Sequence, residues 1–142
     1  MGRQELDNLV TIGSLKAEAA IRQEFMDMVA SARVSLADAQ SGSIDPDSQF
    51  TLAYGAAHRL ALAALRHQGY RSNNRRDAVF QTLAHTLSTS NADIQTFLKA
   101  HNERNLAEYE GRIDVDEKLL ADLIGATKRL EVSVGKLAPP AE

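Results

Sequence analysis

Arg104 and Asn105 stand side by side, with His101 three residues before the arginine and Tyr109 four after the asparagine. A guanidinium presents a planar fork of donors that suits a phosphate oxygen pair, and an imidazole exchanges a proton near neutral pH. At 100° per residue, Ile94, Leu98, His101, Asn105 and Tyr109 fall on one helix face within a wedge about 80° wide. The first two are core residue types, whereas the last three put hydrogen-bonding groups where the pattern calls for hydrocarbon. An unpaired buried amide would cost about 1–3 kcal/mol, so these groups need partners. Two readings follow: an internal polar network that fixes helix register, or a cleft that meets a polar ligand. Glu108 lies one turn after Arg104, where it can neutralise the guanidinium as an i, i+4 pair.

Other residues extend this constellation. Tyr54 and His58 are one turn apart on an apolar segment, a spacing that can place both in the same cleft. A histidine among alanines is ordinarily a core or interface residue, and the same holds for His85. Positive charge is concentrated at Arg66, Arg71, Arg75 and Arg76, with His67 among them, in a stretch that reads as a connection. It is either a solvated connector or a patch for RNA phosphates. The chain has no His-Glu-x-x-His, no calcium loop and no glycine-rich phosphate loop, so neither a metal nor a cofactor is expected.

Helices must position these groups, because the periodicity is helical throughout. Leu6, Leu9, Val10 and Ile12 form a short first helix ending at Gly13, after which Ser14 can cap a second. The stripe of that second helix is Ile21, Phe25, Met28, Ala32, Leu36 and Ala39, and it stops at Ser41-Gly42-Ser43. Asp45-Pro46 restarts the chain, with aspartate as the cap and proline at the first helical position. The third helix, with Phe50, Tyr54, Leu60, Leu65 and many alanines, is apolar nearly all round until Gly69, which marks a central helix. Its alanines would let neighbouring backbones, or a second copy of the chain, approach closely.

Tyr70 to Asn74 reads as a connection, followed by a short helix with Val79, Phe80, Leu83 and Leu87. The helix holding the polar stripe runs from about Asn91 to Tyr109 and ends at Gly111, a left-handed terminator. Asp114 with Glu117 resembles a capping box for the last helix, which buries Leu120, Leu123, Thr127, Leu130 and Val134. No segment shows the alternation of a strand. The expectation is an all-α fold, an up-and-down four-helix bundle with short additional helices. Residues 1–137 form one domain and 138–142 a disordered tail.

A chain of 142 residues is long enough for one core, and 44% hydrophobic with 25% charged residues is an ordinary globular composition. Absence of cysteine removes disulfides, thiolate zinc sites and cysteine nucleophiles together. The longest apolar run, Leu60 to Leu65, is far short of the roughly 18 residues a membrane span needs. The residues after Met1 lack the apolar stretch of a signal peptide, so the sequence reads as cytoplasmic. A net charge of −3 gives no global field for nucleic acid, and any such contact must be local.

Two stretches together resemble the HEPN superfamily of helical, usually dimeric domains of nucleic-acid-linked stress and defence systems. Residues Phe50 to Leu65, closing with Gly69-Tyr70, look like that family's Ala-Tyr-x-Ala-Ala helix ending in glycine. Arg104-Asn105 looks like its Arg-Asn pair. The resemblance spans residues 20 to 137 loosely. It implies a homodimer, here through the alanine-rich helix face, that binds RNA or a protein partner in a toxin–antitoxin type system, with a nucleotidyltransferase-like antitoxin as the expected neighbour. Active members are metal-independent endoribonucleases in which a histidine follows the arginine after four to six residues. In this chain those positions hold Tyr109, Glu110 and Gly111. Tyrosine, with an ordinary pKa near 10, is a poor base at neutral pH, and loss of general acid–base help costs about 10²–10⁴-fold. The resemblance therefore implies a weak or inactive enzyme in which Arg104, Asn105, Tyr54 and His58 bind ligand. The alternatives are a ribonuclease using Arg104 with His101 or Tyr109, and a structural adaptor with no ligand cleft.

Overall fold

The computed structural model describes residues 2–73, 76–111 and 115–141, apart from the side chains of Arg76 and Asp77. The order of elements is α1 (Arg3–Thr11), β1 (Leu15–Ala17), α2 (Arg22–Ala39), α3 (Pro46–His67), β2 (Tyr70–Ser72), α4 (Arg76–Gln81), α5 (Leu83–Thr86), α6 (Asn91–Glu110) and α7 (Glu117–Gly135). The molecule is mostly helical, as its periodicity requires.

The central place of α3 follows from its composition. Ala53, Ala56, Ala57, Ala61, Ala63 and Ala64 are all buried, and α2 and α7 pack against them. Small side chains let three helices approach closely, and the larger Phe50, Leu60, Phe25, Leu36, Leu123 and Leu130 fill the space between. The alanine-rich face is thus consumed within one protomer. The expectation that it joins two copies is corrected, because a seam already filled by α2 and α7 has no surface left to offer.

Sequence signals at helix ends were met unevenly. Pro46 sits at the first turn of α3 and Asp45 is its extended N-cap, yet the Asp45 side chain makes no capping hydrogen bond. Ser90 caps α6, its side chain accepting from the Asp93 amide, and Gly111 closes that helix at φ +79°. The cap of α7 is Asp116, whose carboxylate accepts from the Leu119 amide; Asp114 lies outside the described residues. The short helix expected around Val79 to Leu87 is two pieces, α4 and α5.

The fold is consistent with the all-α class, but two short strands correct the expectation that no segment is a strand. β1 pairs antiparallel with β2, with Leu15 opposite Ser72, Lys16 opposite Arg71 and Ala17 opposite Tyr70. Ser14 therefore leads into a strand and caps no helix. Three-residue strands are too short to show alternation, and here side chains fix the pairing. Leu6, Leu15, Leu65 and Tyr70 form a small apolar cluster under α1, the Tyr70 hydroxyl donates to Asp7 at 2.5 Å, and Asn73 donates to the Gly13 carbonyl.

Residues 138–141 carry no regular structure, but they lie on the protein. The Ala138 carbonyl accepts from His67 Nε2 at 2.8 Å, and the Pro140 carbonyl accepts from Arg22 at 3.4 Å.

Candidate functional site

The candidate site is the point where α6 leaves the core. Ile94, Phe97 and Ala100 are the buried residues of this helix, and all lie in its first half. Phe97 stacks on Phe80 of α4 with ring centroids 5.3 Å apart, and Phe80 in turn meets Tyr54 of α3 edge-on at 5.8 Å. His58 lies beside both, 5.9 Å from Phe80 and stacked at 6.4 Å on Tyr54. An aromatic wall therefore ends the core here, and the polar residues of α6 close over it.

Three side chains make that closure. The Tyr54 hydroxyl and His101 Nδ1 are 3.0 Å apart, and His101 Nε2 is 3.1 Å from the Asn105 side-chain amide. Two proton arrangements fit the same heavy atoms. In one, the Asn105 amide donates to Nε2 while Nδ1–H donates to the tyrosine oxygen. In the other, the tyrosine donates to Nδ1, and Nε2–H donates to the carboxamide oxygen once that amide is turned over. The imidazole thus bridges a fully buried hydroxyl and the surface. Arg104 lies alongside with its guanidinium carbon 5.4 Å from the Tyr54 ring centroid, and its Nη1 is 3.6 Å from Glu108. A cation over an aromatic face is worth about 0.5–1 kcal/mol at partly exposed sites, and an exposed i, i+4 pair less.

The inward stripe is rotated from the one expected. The observed line is Ile94, Phe97, His101 and Arg104, turned about 80° from the line through Leu98, Asn105 and Tyr109. The physical reason is Phe97: its ring fills the space beside Phe80, and the choice of Phe97 over Leu98 sets the helix rotation. Arg104 consequently faces Tyr54, Asn105 is exposed, and Tyr109 is 91% exposed, outside the cluster. Where a polar cleft with Tyr109 in the histidine's place was expected, the structure has a surface cluster that Tyr109 does not join. Tyr54, His58, His101, Arg104 and Asn105 are brought together; Tyr109 is not.

The arginine patch does not form as expected either. Arg66 is 1% exposed, and its guanidinium donates to Glu24 at 2.6 Å and to the carbonyls of Glu18, Ala19 and Tyr70 at 2.8–3.1 Å. Arg71 bonds Glu18 at 2.6 Å and both oxygens of Glu24 at 3.0 and 3.1 Å. These two cations fasten the end of α3 and β2 to the segment before α2 and to its first turn, and their donors are spent on protein. Hydrogen bonding from Arg66 holds the Glu24 carboxyl below its ordinary range, and bonding from Arg71 does the same for Glu18. Arg75 and the Arg76 side chain lie outside the described residues.

His67 is spent on the C-terminal segment, and its Nδ1 is buried without a partner. His85 is half-buried on α5. No group of three or more metal-binding side chains forms among the described residues, and no helix there is long and apolar enough to cross a membrane. Clefts of about 310 and 430 Å³ lie between α2 and the end of α7 and beside the first turn of α2; neither includes the cluster.

Sequence reasoning missed Phe80 and Phe97 as the wall behind the site, and the contact between Arg104 and Tyr54. The available signal was spacing, since Phe97, His101 and Arg104 are four and three residues apart. No family model, no curated protein and no solved structure matches the chain.

Proposed function

We propose that this chain is a HEPN-like helical binding domain, catalytically weak or silent, that holds RNA through one or two phosphates at the Tyr54–His101–Arg104–Asn105 cluster. Its four long helices α2, α3, α6 and α7 are read as the up-and-down bundle of such a domain. A stress or toxin–antitoxin setting, a cytoplasmic location and a second copy as partner belong to the same reading. The observation that carries it is the Arg104 guanidinium, half-exposed over Tyr54 with, among the described residues, an exposed glutamate at 3.6 Å as its ion partner. Such a group can exchange Glu108 for a phosphate oxygen at little cost.

Charge sets the scale of binding. Residues 101–110 hold three glutamates against one arginine, so an extended polyanion gains nothing beyond the contact at Arg104. With one or two phosphates neutralised, the slope of log Kobs against log salt for single-stranded RNA is between about −0.7 and −1.4. A four-arginine patch would give about −2.8. Fluorescence anisotropy with a labelled oligonucleotide, repeated across salt and with Arg104→Ala, tests this: binding lost in the variant with a shallow slope supports the reading, and binding unaffected by the variant defeats it.

One observation favours an active ribonuclease as second reading. His101 is oriented through Nδ1 by Tyr54, which leaves Nε2 at the surface beside Asn105, a placement suited to a general base. RNA cleavage abolished by both His101→Ala and Arg104→Ala would establish it. The structural-adaptor reading draws on the same network, in which the hydroxyl, ring and amide satisfy one another. It requires Asn105→Ala to lower stability while leaving RNA affinity unchanged.

A further inference from the structure

The second half of α6 presents a surface that neither the core nor the Arg104 cluster uses. Nothing in it after Ala100 is buried, yet it continues for ten residues and carries Leu106, 51% exposed, and Tyr109, 91% exposed. These two lie about 60° apart on the helix, with Asn102 between them, on a face roughly 140–160° round from Arg104. Glu110 lies about 40° from Leu106 on the same side, and Glu103, about 60° from it, is half-buried where it lines a cleft with Asp116, Lys118 and Asp122 at the start of α7.

The electrostatics of this end are unfavourable in isolation. A helix C-terminus carries partial negative charge and is stabilised by bases, each worth about 0.3–1 kcal/mol. Here the last turn contains Glu108 and Glu110 and no base. A helix end that, among the described residues, places two apolar side chains in water and acids on its own negative pole gains from a surface supplying hydrocarbon and positive charge together.

We infer that the outer face of α6, with Leu106 and Tyr109 as anchors and Glu103 and Glu110 as rim, docks into an apolar groove bordered by lysine or arginine on a different protein. The mode is helix-in-groove, with anchors three residues apart and acidic residues one helical repeat apart on the rim. A second copy of this chain fits less well, because the same acidic face would meet itself. RNA is repelled by it.

The test places a photo-reactive benzoylphenylalanine at Tyr109 in the full-length protein, within the cells that make it, with the same residue at exposed Val34 as control. The expected result is an adduct with another protein, specific to position 109, whose linked peptide carries apolar residues beside lysine or arginine. The double variant Glu103→Lys/Glu110→Lys, shown folded by circular dichroism, should lower the yield at least tenfold. Glu110→Lys alone serves if the double variant does not fold. Adducts solely with a second copy or with RNA, a yield no greater than at Val34, or a yield unmoved by charge reversal would each overturn the inference.

Discussion

Tyr54 is the residue on which the candidate site rests. It is buried to 1% exposure, and its hydroxyl has His101 as hydrogen-bond partner while its ring lies under Arg104. Tyr54→Phe keeps the ring and removes the hydroxyl, leaving the imidazole to find solvent at Nδ1. The expected cost is about 1 kcal/mol, read as a lower urea midpoint with an unchanged slope. Arg104 should still find a ring face, so RNA affinity should fall far less than in Arg104→Ala. Asn105 differs because it is exposed: Asn105→Ala should change stability by less than about 0.5 kcal/mol. A larger loss in the same urea titration would move the cluster from binding site to internal lock.

Arg66 teaches the opposite lesson about reading charge from sequence. Among arginines in a stretch that looked like a connection, it resembled part of a phosphate patch, yet it is the most deeply buried cation described. Nothing in local composition reveals this, because its partners Glu18 and Glu24 are more than forty residues away. The apolar positions around it, Leu65 before and Tyr70 after, were legible as core. The ion pair joining the end of α3 to α2 was not.

At the scale of elements, that pair sets two expectations. Arg66→Met removes the guanidinium, so three carbonyls lose a donor and the Glu24 carboxylate is left with Arg71 alone. Breaking a buried pair from one side typically costs about 3–5 kcal/mol, and calorimetry should show a correspondingly large fall in Tm. Arg71→Ala, at a half-exposed partner of the same carboxylates, should cost about 1 kcal/mol or less. The pH dependence has a definite sign. Folding lowers the pKa of Glu24, through Arg66 first, and that of Glu18, through Arg71 first, below the ordinary 4.5. Their contribution is therefore present in full above that value and is lost as pH falls through the depressed folded values. Urea titrations between pH 6 and pH 3 should show a stability loss in wild type that Glu24→Gln reduces.

The long helices were legible because periodicity over many turns is a strong signal, and α2, α3, α6 and α7 all lie where their apolar stripes place them. The rotation of α6 was not legible. Leu98 and Phe97 are both apolar, and a one-residue choice between them turns the outer half of the helix enough to bring Arg104 inward and Tyr109 outward. Only the packing of Phe97 against Phe80 decides between them. The strands escaped notice for a related reason: three residues carry too little pattern, and a distant ion pair holds them.

For the molecule as a whole, the decisive feature is the alanine seam of α3. A stripe of small residues reads equally well as a contact between helices of one chain or between two chains, and here it is filled from within by α2 and α7. Overpacking one position separates the two cases. Ala57 is fully buried, so Ala57→Leu forces three added carbons into a filled interface, at a cost of about 1–3 kcal/mol. In a two-state protomer that loss lowers Tm by the same amount at every protein concentration, because no association step is linked to the seam. Were the seam shared between copies, mass action would make the Tm of wild type rise with concentration and the variant's deficit grow with it. Scanning calorimetry over a hundredfold concentration range should return parallel, flat lines for the two proteins. A second copy, if one binds, must then use another face.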